Sequence, residues 1–349
     1  MIKIAFLTSS RNLPWNRQFP KGIPKINGVE FFVPTDQADI VFVYDALPQR
    51  KVAIKSSQKA IFIASEPETV KRYQPGFLAQ FDTVITTDRA TPHPHRIFSQ
   101  TGLPWFVGSN VGGDSPLQNP MPFEELENHF PNKTKLISVV SSDKVFTPEH
   151  RARLEFVSRL REAFGDQIDI FGRGIADFDD KRDVLDTYRY HIALENCSVD
   201  DYWTEKLADP FLTLTFPIYH GCPNISHYFS ELALAKIDIG KPDEAIAIIK
   251  RIIESDLSEQ RLGELVEARR RILYEHNIFF MIAKFVSSAQ QRDPFLGSCR
   301  PLLAEESWLS FAQRAKLVLL AEISKKPRIR KALRLLRKKL SQFFLNSKP

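Results

Sequence analysis

From residue 135 onward the chain alternates short apolar runs with segments of helical period. A parallel α/β sheet is the architecture that accommodates such alternation. Residues 135–141 read as a strand, and 148–164 as an amphipathic helix with Pro148 at its start and Gly165 after its end. Strands are expected at 168–171, 190–194 and 216–219. Helices are expected at 180–186 and 204–209, with Pro210 as a kink or stop, and at 243–253 and 257–276. Earlier runs at 2–7, 38–44, 60–64 and 83–86 also have the buried-strand pattern, but Pro-rich irregular segments separate them. A chain of 349 residues exceeds one ordinary core. The turn-rich stretch 107–131, with Gly112-Gly113-Asp114, marks the expected boundary, dividing the chain into units 1–125 and 133–300. Parallel sheets bind ligands outside the carboxyl ends of their strands, so the loops after Val140, Phe171, Leu194 and Tyr219 are expected to line a site.

Composition excludes the fibrous and wholly disordered classes: 43% of residues are apolar and 26% charged. No apolar run reaches the length of a membrane span, and the first ten residues read as a strand rather than a signal peptide. Three cysteines, Cys197, Cys222 and Cys299, form no CxxC pair, which argues against a disulfide framework or structural zinc and for a reducing compartment.

The stretch from His191 to Gly221 carries the most chemistry. An apolar strand ends in Glu195-Asn196, a polar loop with Asp200, Asp201, Tyr202 and Trp203 follows, and Thr204 is placed to cap a helix. Lys206 then falls in the first helical turn, where its charge opposes the helix dipole. A bound anion would reverse that penalty, because free backbone N–H groups and an ammonium together make a phosphate site. Pairing of Lys206 with Glu205 or Asp209 is the alternative.

These residues resemble the α-1,3-fucosyltransferases of glycosyltransferase family 10. The resemblance lies in Glu195-Asn196-Cys197, Tyr202-Trp203-Thr204-Glu205-Lys206 and Pro217-Ile218-Tyr219-His220-Gly221. It extends upstream through Arg153-Leu154-Glu155-Phe156 and Asp169-Ile170-Phe171-Gly172-Arg173-Gly174, covers residues 136–253 well, and is loose over the first 125. It implies a GT-B fold of two facing Rossmann-like domains. It also implies inverting transfer of fucose from GDP-fucose to a glycan acceptor, with no required metal or other cofactor. By the same resemblance, Arg153 and Lys206 hold the diphosphate, and Arg151 competes with Arg153 for that role. Glu66, after the strand at 60–64, takes the acceptor proton, and Glu68 is its alternative. Asn196, Glu195, Glu205, Tyr202, Ser141 and Ser142 are the remaining donor-binding candidates. Cys197 stands where the family has serine, and is expected to pack as a small apolar residue. Transfer from another nucleotide sugar, or a non-catalytic nucleotide- or glycan-binding protein, are the rival readings.

Asp177-Phe178-Asp179 is a literal DxD, but it sits in the charged stretch 177–183, which reads as a solvated loop. The histidines show no zinc-ligand spacing, and no Walker loop, GxGxxG or nucleophile elbow occurs.

The net charge of +6 belongs to the C-terminus. Residues 325–349 hold ten basic side chains and no acidic one, leaving the first 324 residues slightly acidic. In 328–344 an apolar stripe of Ile329, Leu333, Leu336, Leu340 and Phe343–Phe344 faces a basic remainder. Such a helix suits an anionic membrane surface, here the inner face of the cytoplasmic membrane. Docking on the protein itself, dimerisation included, and a nucleic-acid arm are the alternatives. The stripe disfavours the nucleic-acid arm, which has no use for it. Residues 301–324 are expected to pack back on the N-terminal unit as a helix.

Overall fold

The computed structural model describes residues 1–109, 120–141, 148–172, 174–289 and 300–309, and contains two mainly parallel sheets, as expected. The first sheet uses β1 (Ile2–Thr8), β2 (Lys25–Ile26), β3 (Val29–Glu30) and β4 (Ile40–Tyr44). After β5 (Lys51–Ile54), which lies outside this sheet, come β6 (Lys59–Ile63), β7 (Thr83–Thr86) and β8 (Arg96–Phe98). The order is β2-β3-β1-β4-β6-β7-β8, with only the β2–β3 hairpin antiparallel. The register sets Phe6 against Phe42 and Tyr44 against Ile63.

Period-2 alternation buries both faces of this sheet. Ile4, Phe6, Phe42 and Ile61 pack on one side with Trp15 and Phe19. Val41, Val43, Ala60 and Phe62 pack on the other with Phe77 and Phe81, from and just after the short helix α1 (Pro75–Leu78). The Pro-rich connections supply few helices of their own, so the chain's later segments complete the cover.

The second sheet has the order β10-β9-β11-β12-β13 and is parallel throughout. Before it, α2 (Phe123–Glu127) leads into β9 (Lys135–Val140), and α3 (Pro148–Phe164) into β10 (Ile168–Phe171). Then follow β11 (Tyr188–Leu194), α4 (Glu205–Leu212), β12 (Phe216–His220) and β13 (Ala235–Lys236). Neighbours β9 and β11 send their connections in opposite directions along the sheet, so a crevice opens between their carboxyl ends.

Several expectations need correction. Trp105, Val107, Met121, Phe123 and Leu126 are buried in the second core, so the chain joins the second unit at the start of the expected boundary stretch 107–131, and the first unit ends well ahead of residue 125. Beyond α5 (Pro242–Glu254), the helix expected at 257–276 is two, α6 (Leu257–Gln260) and α7 (Leu262–Tyr274), broken at Arg261. The return to the first unit begins within the expected 133–300 unit: Ile278, Phe279, Ile282, Ala283 and Val286 of α8 (Ile278–Ala289) are buried in the first core. Phe279 stacks on Phe19 with ring centroids 4.2 Å apart. β14 (Arg300–Leu303) then pairs antiparallel with β5, and a 3-10 turn (Glu305–Trp308) follows, so 301–309 contain no α-helix. Residues 310–324 and the basic tail 325–349 lie outside the described residues. No described helix is long and apolar enough to cross a membrane.

Helix α4 runs through Pro210 and ends two residues later, so Pro210 is not the expected stop. The expected helix at 180–186 is a single 3-10 turn, Lys181–Val184, closed by a capping box between Asp180 and Asp183.

Candidate active site

A cavity of about 360 Å³ opens at the β9–β11 crevice. Val140 ends β9 at its rim, Leu194 and Asn196 come from the end of β11, and Arg153 from α3. Lys181, Glu205, Lys206 and Asp209 also line it. Gly172 lets the end of β10 close against this rim. Its φ is +133°, and a Cβ there would sit 1.8 Å from the Ser141 carbonyl oxygen, so any side chain would displace the backbone.

Helix α4 aims its N-terminus at the cavity. Thr204 is extended and accepts from the Lys206 N–H at 3.2 Å. Glu195 holds Thr204 in turn: Oε1 accepts from its backbone N–H at 2.7 Å and Oε2 from its hydroxyl at 2.8 Å. Glu195 thus holds the helix start in place through Thr204. Burial raises its carboxyl pKa and Glu205 adds to the effect, while Lys206 opposes it.

Lys206 pairs with Glu205, one of the two partners of the alternative reading, while Asp209 pairs with Lys181 instead. Its Nζ lies 3.1 Å from Glu205 Oε1 and 3.7 Å from Glu195 Oε2. Burial would lower its pKa, but these two carboxylates raise it, so the ammonium persists. Glu205 is pulled the other way. Against the burial that would raise it, Lys206 and Lys181 draw its carboxyl down to about 2.

Arg153 is buried and donates from Nη1 to Asn196 Oδ1 at 2.7 Å. Its Nε is buried with no partner among the described residues, as is Ser141 Oγ. Of the two residues, Arg153 lines the cavity, where a bound ligand would satisfy its Nε. Arg151, two residues earlier, is exposed. Ser142 lies outside the described residues. Tyr202 is buried, and its phenol pKa is raised by burial and by the fields of Glu195 and Glu66. Cys197 is buried, as expected of a small apolar packer.

Across the cleft, Asp45 directly follows β4 and Glu66 lies three residues after β6. Asp45 Oδ1 accepts from Ser65 Oγ at 2.9 Å, Lys71 Nζ at 3.0 Å and Tyr73 OH at 2.7 Å. Burial works against its charge, but Lys71 and these hydrogen bonds hold its carboxyl below the usual range. Glu66 is half-buried and shifted upward, first by burial and next by Asp45. Lys206 and Glu205 of the second unit also act on it, so Glu66 and the start of α4 share one electrostatic neighbourhood. The alternative Glu68 instead pairs with Arg72.

Arg89 donates to Asp201 Oδ2 at 2.9 Å, and Arg17 to the Val107 carbonyl at 2.7 Å, bridging the two units beside the cleft.

Lys181 and His191 did not stand out in the sequence. Lys181 falls in the stretch read as a solvated loop, and Asp177 and Asp179 are indeed exposed. The Asp180–Asp183 spacing signals the turn, yet nothing in it shows that Lys181 turns inward. Its Nζ lies 2.7 Å from Asp209 Oδ2, and that carboxylate, fully buried, also accepts from the Phe106 N–H at 3.0 Å. Among the described residues no group of three or more His, Cys, Asp or Glu side chains is placed to hold a metal ion.

Comparison with known proteins gives a match over part of the chain. Residues 130–240 match the family model described as "Glycosyltransferase family 10 (fucosyltransferase) C-term". The chain is 25% identical to the alpha-(1,3)-fucosyltransferase FucT of Helicobacter pylori over 242 residues, 62% of this chain and 49% of that one. It is 27% identical to 4-galactosyl-N-acetylglucosaminide 3-alpha-L-fucosyltransferase 9 of Bos taurus over 140 residues, 38% of this chain and 36% of that one. The chain therefore spans about half the length of the first of these curated relatives and less of the second. A crystal structure of an alpha1,3-fucosyltransferase with GDP-fucose superimposes with a TM-score of 0.47 and 18% identity, covering 85% of this chain and 93% of that one. The matched segment holds Arg153, Glu195, Asn196, Glu205 and Lys206.

Proposed function

We propose that this protein is an inverting fucosyltransferase that moves fucose from GDP-fucose to a glycan hydroxyl and releases GDP. The observation that carries this reading is the opposition of two groups across one cleft. On one side, Arg153 and Lys206 flank the cavity at the start of α4. On the other, Glu66 holds a carboxyl of raised pKa.

The acceptor oxygen attacks the anomeric carbon from the face opposite the diphosphate. As the new C–O bond forms, Glu66 takes the hydroxyl proton. The bond from the anomeric carbon to the diphosphate oxygen breaks, and its electron pair leaves on GDP. Arg153 and Lys206 meet the charge that builds there, and fixed cations favour that transition state over the ground state. Because two protein cations can fill this role, transfer is proposed to need no metal. The proposed acceptor position is O3 of N-acetylglucosamine within a glycan. The names of the curated relatives support fucose as the transferred sugar and the linkage.

The test is incubation with GDP-fucose and an array of N-acetyllactosamine-type acceptors, with EDTA present. Fucosylated product and released GDP are expected. Failure to transfer to any acceptor, with GDP still bound in titration calorimetry, would replace this reading with a non-catalytic binder.

The basic tail is proposed to attach the enzyme to the inner face of the cytoplasmic membrane, on the strength of its charge and apolar stripe alone. Co-sedimentation with anionic vesicles that is lost at high salt is expected. No sedimentation at low salt would sink that proposal.

A further inference from the structure

His191 lies on β11 inside the second unit, is 6% exposed, and lines the same cavity as Lys181 and Asp209. Its protonation follows from its neighbours. Ser138 Oγ lies 2.7 Å from the Val184 carbonyl, which can only accept, so the single hydroxyl proton is spent there. The same Oγ lies 2.8 Å from His191 Nδ1, and must then accept from it. Nδ1 therefore carries the ring proton. Burial, aided by Lys181, lowers the imidazole pKa to about 3, so the ring is neutral at working pH. Among the described residues Nε2 is left as a bare acceptor, the one ring nitrogen not committed to Ser138.

We infer that His191 is a specificity residue of the donor site: its Nε2 accepts a hydrogen bond from an N–H or O–H group of the nucleotide sugar. The cavity's other side chains supply donors and carboxylates. Arg153, Lys181, Lys206 and Asn196 can donate, whereas Glu205 and Asp209 accept while carrying charge. A neutral acceptor held in one tautomer is a different recognition element. It selects a ligand that presents a donor there and rejects one that presents a carbonyl, because a rejected ligand leaves two acceptors facing each other. The group is either an amino or imino N–H of the base or a hydroxyl of the sugar. The inference rests on the proposed use of GDP-fucose.

Two substitutions separate the ring nitrogens. His191→Asn keeps an amide near the Nδ1 position for Ser138 and removes the Nε2 acceptor. His191→Gln carries its amide group out to the Nε2 position. Calorimetry with GDP and with GDP-fucose is expected to show about tenfold weaker binding for His191→Asn and near wild-type binding for His191→Gln. Loss with both ligands assigns the contact to the nucleotide, and loss with GDP-fucose alone assigns it to the sugar. Equal behaviour of the two variants, whether both bind as wild type or both lose affinity alike, overturns the inference. The unsubstituted protein gives a second readout: the ¹⁵N resonance of His191 Nε2 is expected to move upfield when ligand is added. A resonance unmoved under saturating GDP and GDP-fucose overturns it as well. Wild-type protein that binds neither ligand would instead refute the proposed function.

Discussion

Arg153 Nη1 donates to Asn196 Oδ1 at 2.7 Å, tying the first turns of α3 to the strand end that opens the cavity. The bond fixes the guanidinium plane while leaving Nε buried without a partner among the described residues. An arginine so held keeps a fork ready for a diphosphate, and lysine cannot reproduce that geometry. Arg153→Lys is therefore expected to lower kcat about 100-fold, the scale of one lost preorganised contact at about 3 kcal/mol. Arg151→Ala, at an exposed position of the same helix, is expected to cost far less. Steady-state kinetics of the two variants decide between them, and an equal loss would mean that Arg153's burial has no bearing on turnover.

Lys181 and Asp209 meet at 2.7 Å, with the carboxylate fully buried. Removing the cation strands that charge, and breaking a buried pair from one side costs about 3–5 kcal/mol. Lys181→Met is expected to fall in that range in urea unfolding. Asp209→Asn is expected to cost less, because its Oδ1 can still accept from the Phe106 N–H. The double variant should recover part of the Lys181→Met loss. Strictly additive losses would show that the two side chains are not coupled.

The parallel second sheet was legible because local signals agreed along it. Pro148 at the first helical position and Gly165 after the last bracket α3 at the residues where it begins and ends. Thr204 likewise announces the α4 cap. What could not be read depends on contacts distant in sequence. The first sheet lacks enough helices between its strands, and its cover by α8 joins Phe279 to Phe19. No local periodicity encodes such a pairing. Lys181 and His191 were invisible for a related reason: the direction of a side chain in a short 3-10 turn, or its neighbours within a sheet, is set by tertiary packing. Glu195 was legible as a site residue, yet its use in holding Thr204 emerges only when both ends of the intervening loop are placed.

Two buried histidines make stability depend on acid. His191 is held neutral down to about pH 3 and His276 to about 4, in each case chiefly by burial. The unfolded chain binds protons at these imidazoles once pH drops through about 6.5. The unfolded state thus binds more protons between about pH 3 and 6.5, so this stability is present at neutral pH and is lost as pH falls. Between pH 7 and 5 the expected loss is about 1–2 kcal/mol per histidine. Urea unfolding at the two pH values should show a smaller drop for His276→Gln than for wild type. Identical drops would mean that His276 titrates alike in both states.

Asp45 and Glu66 lie in the loops that follow adjacent strands, and their pKa values are shifted in opposite directions. Asp45 is held ionised by Lys71, Tyr73 and Ser65, and its fixed charge works with burial to lift Glu66. A base of raised pKa takes a proton more readily, at the cost of being protonated sooner as pH drops. The acid limb of kcat/KM is accordingly expected above the ordinary glutamate range. Glu66→Gln should abolish transfer while GDP still binds. Asp45→Asn offers the finer test, because all three hydrogen bonds run to Oδ1, which asparagine can still present as an acceptor. Removing the charge lowers the pKa of Glu66, so the acid limb should move to lower pH and turnover at neutral pH should fall modestly. A limb that stays in place, with Asp45→Asn folded and active, would mean that Asp45 does not set the basicity of Glu66. A limb absent from wild type would point to a proton acceptor other than Glu66.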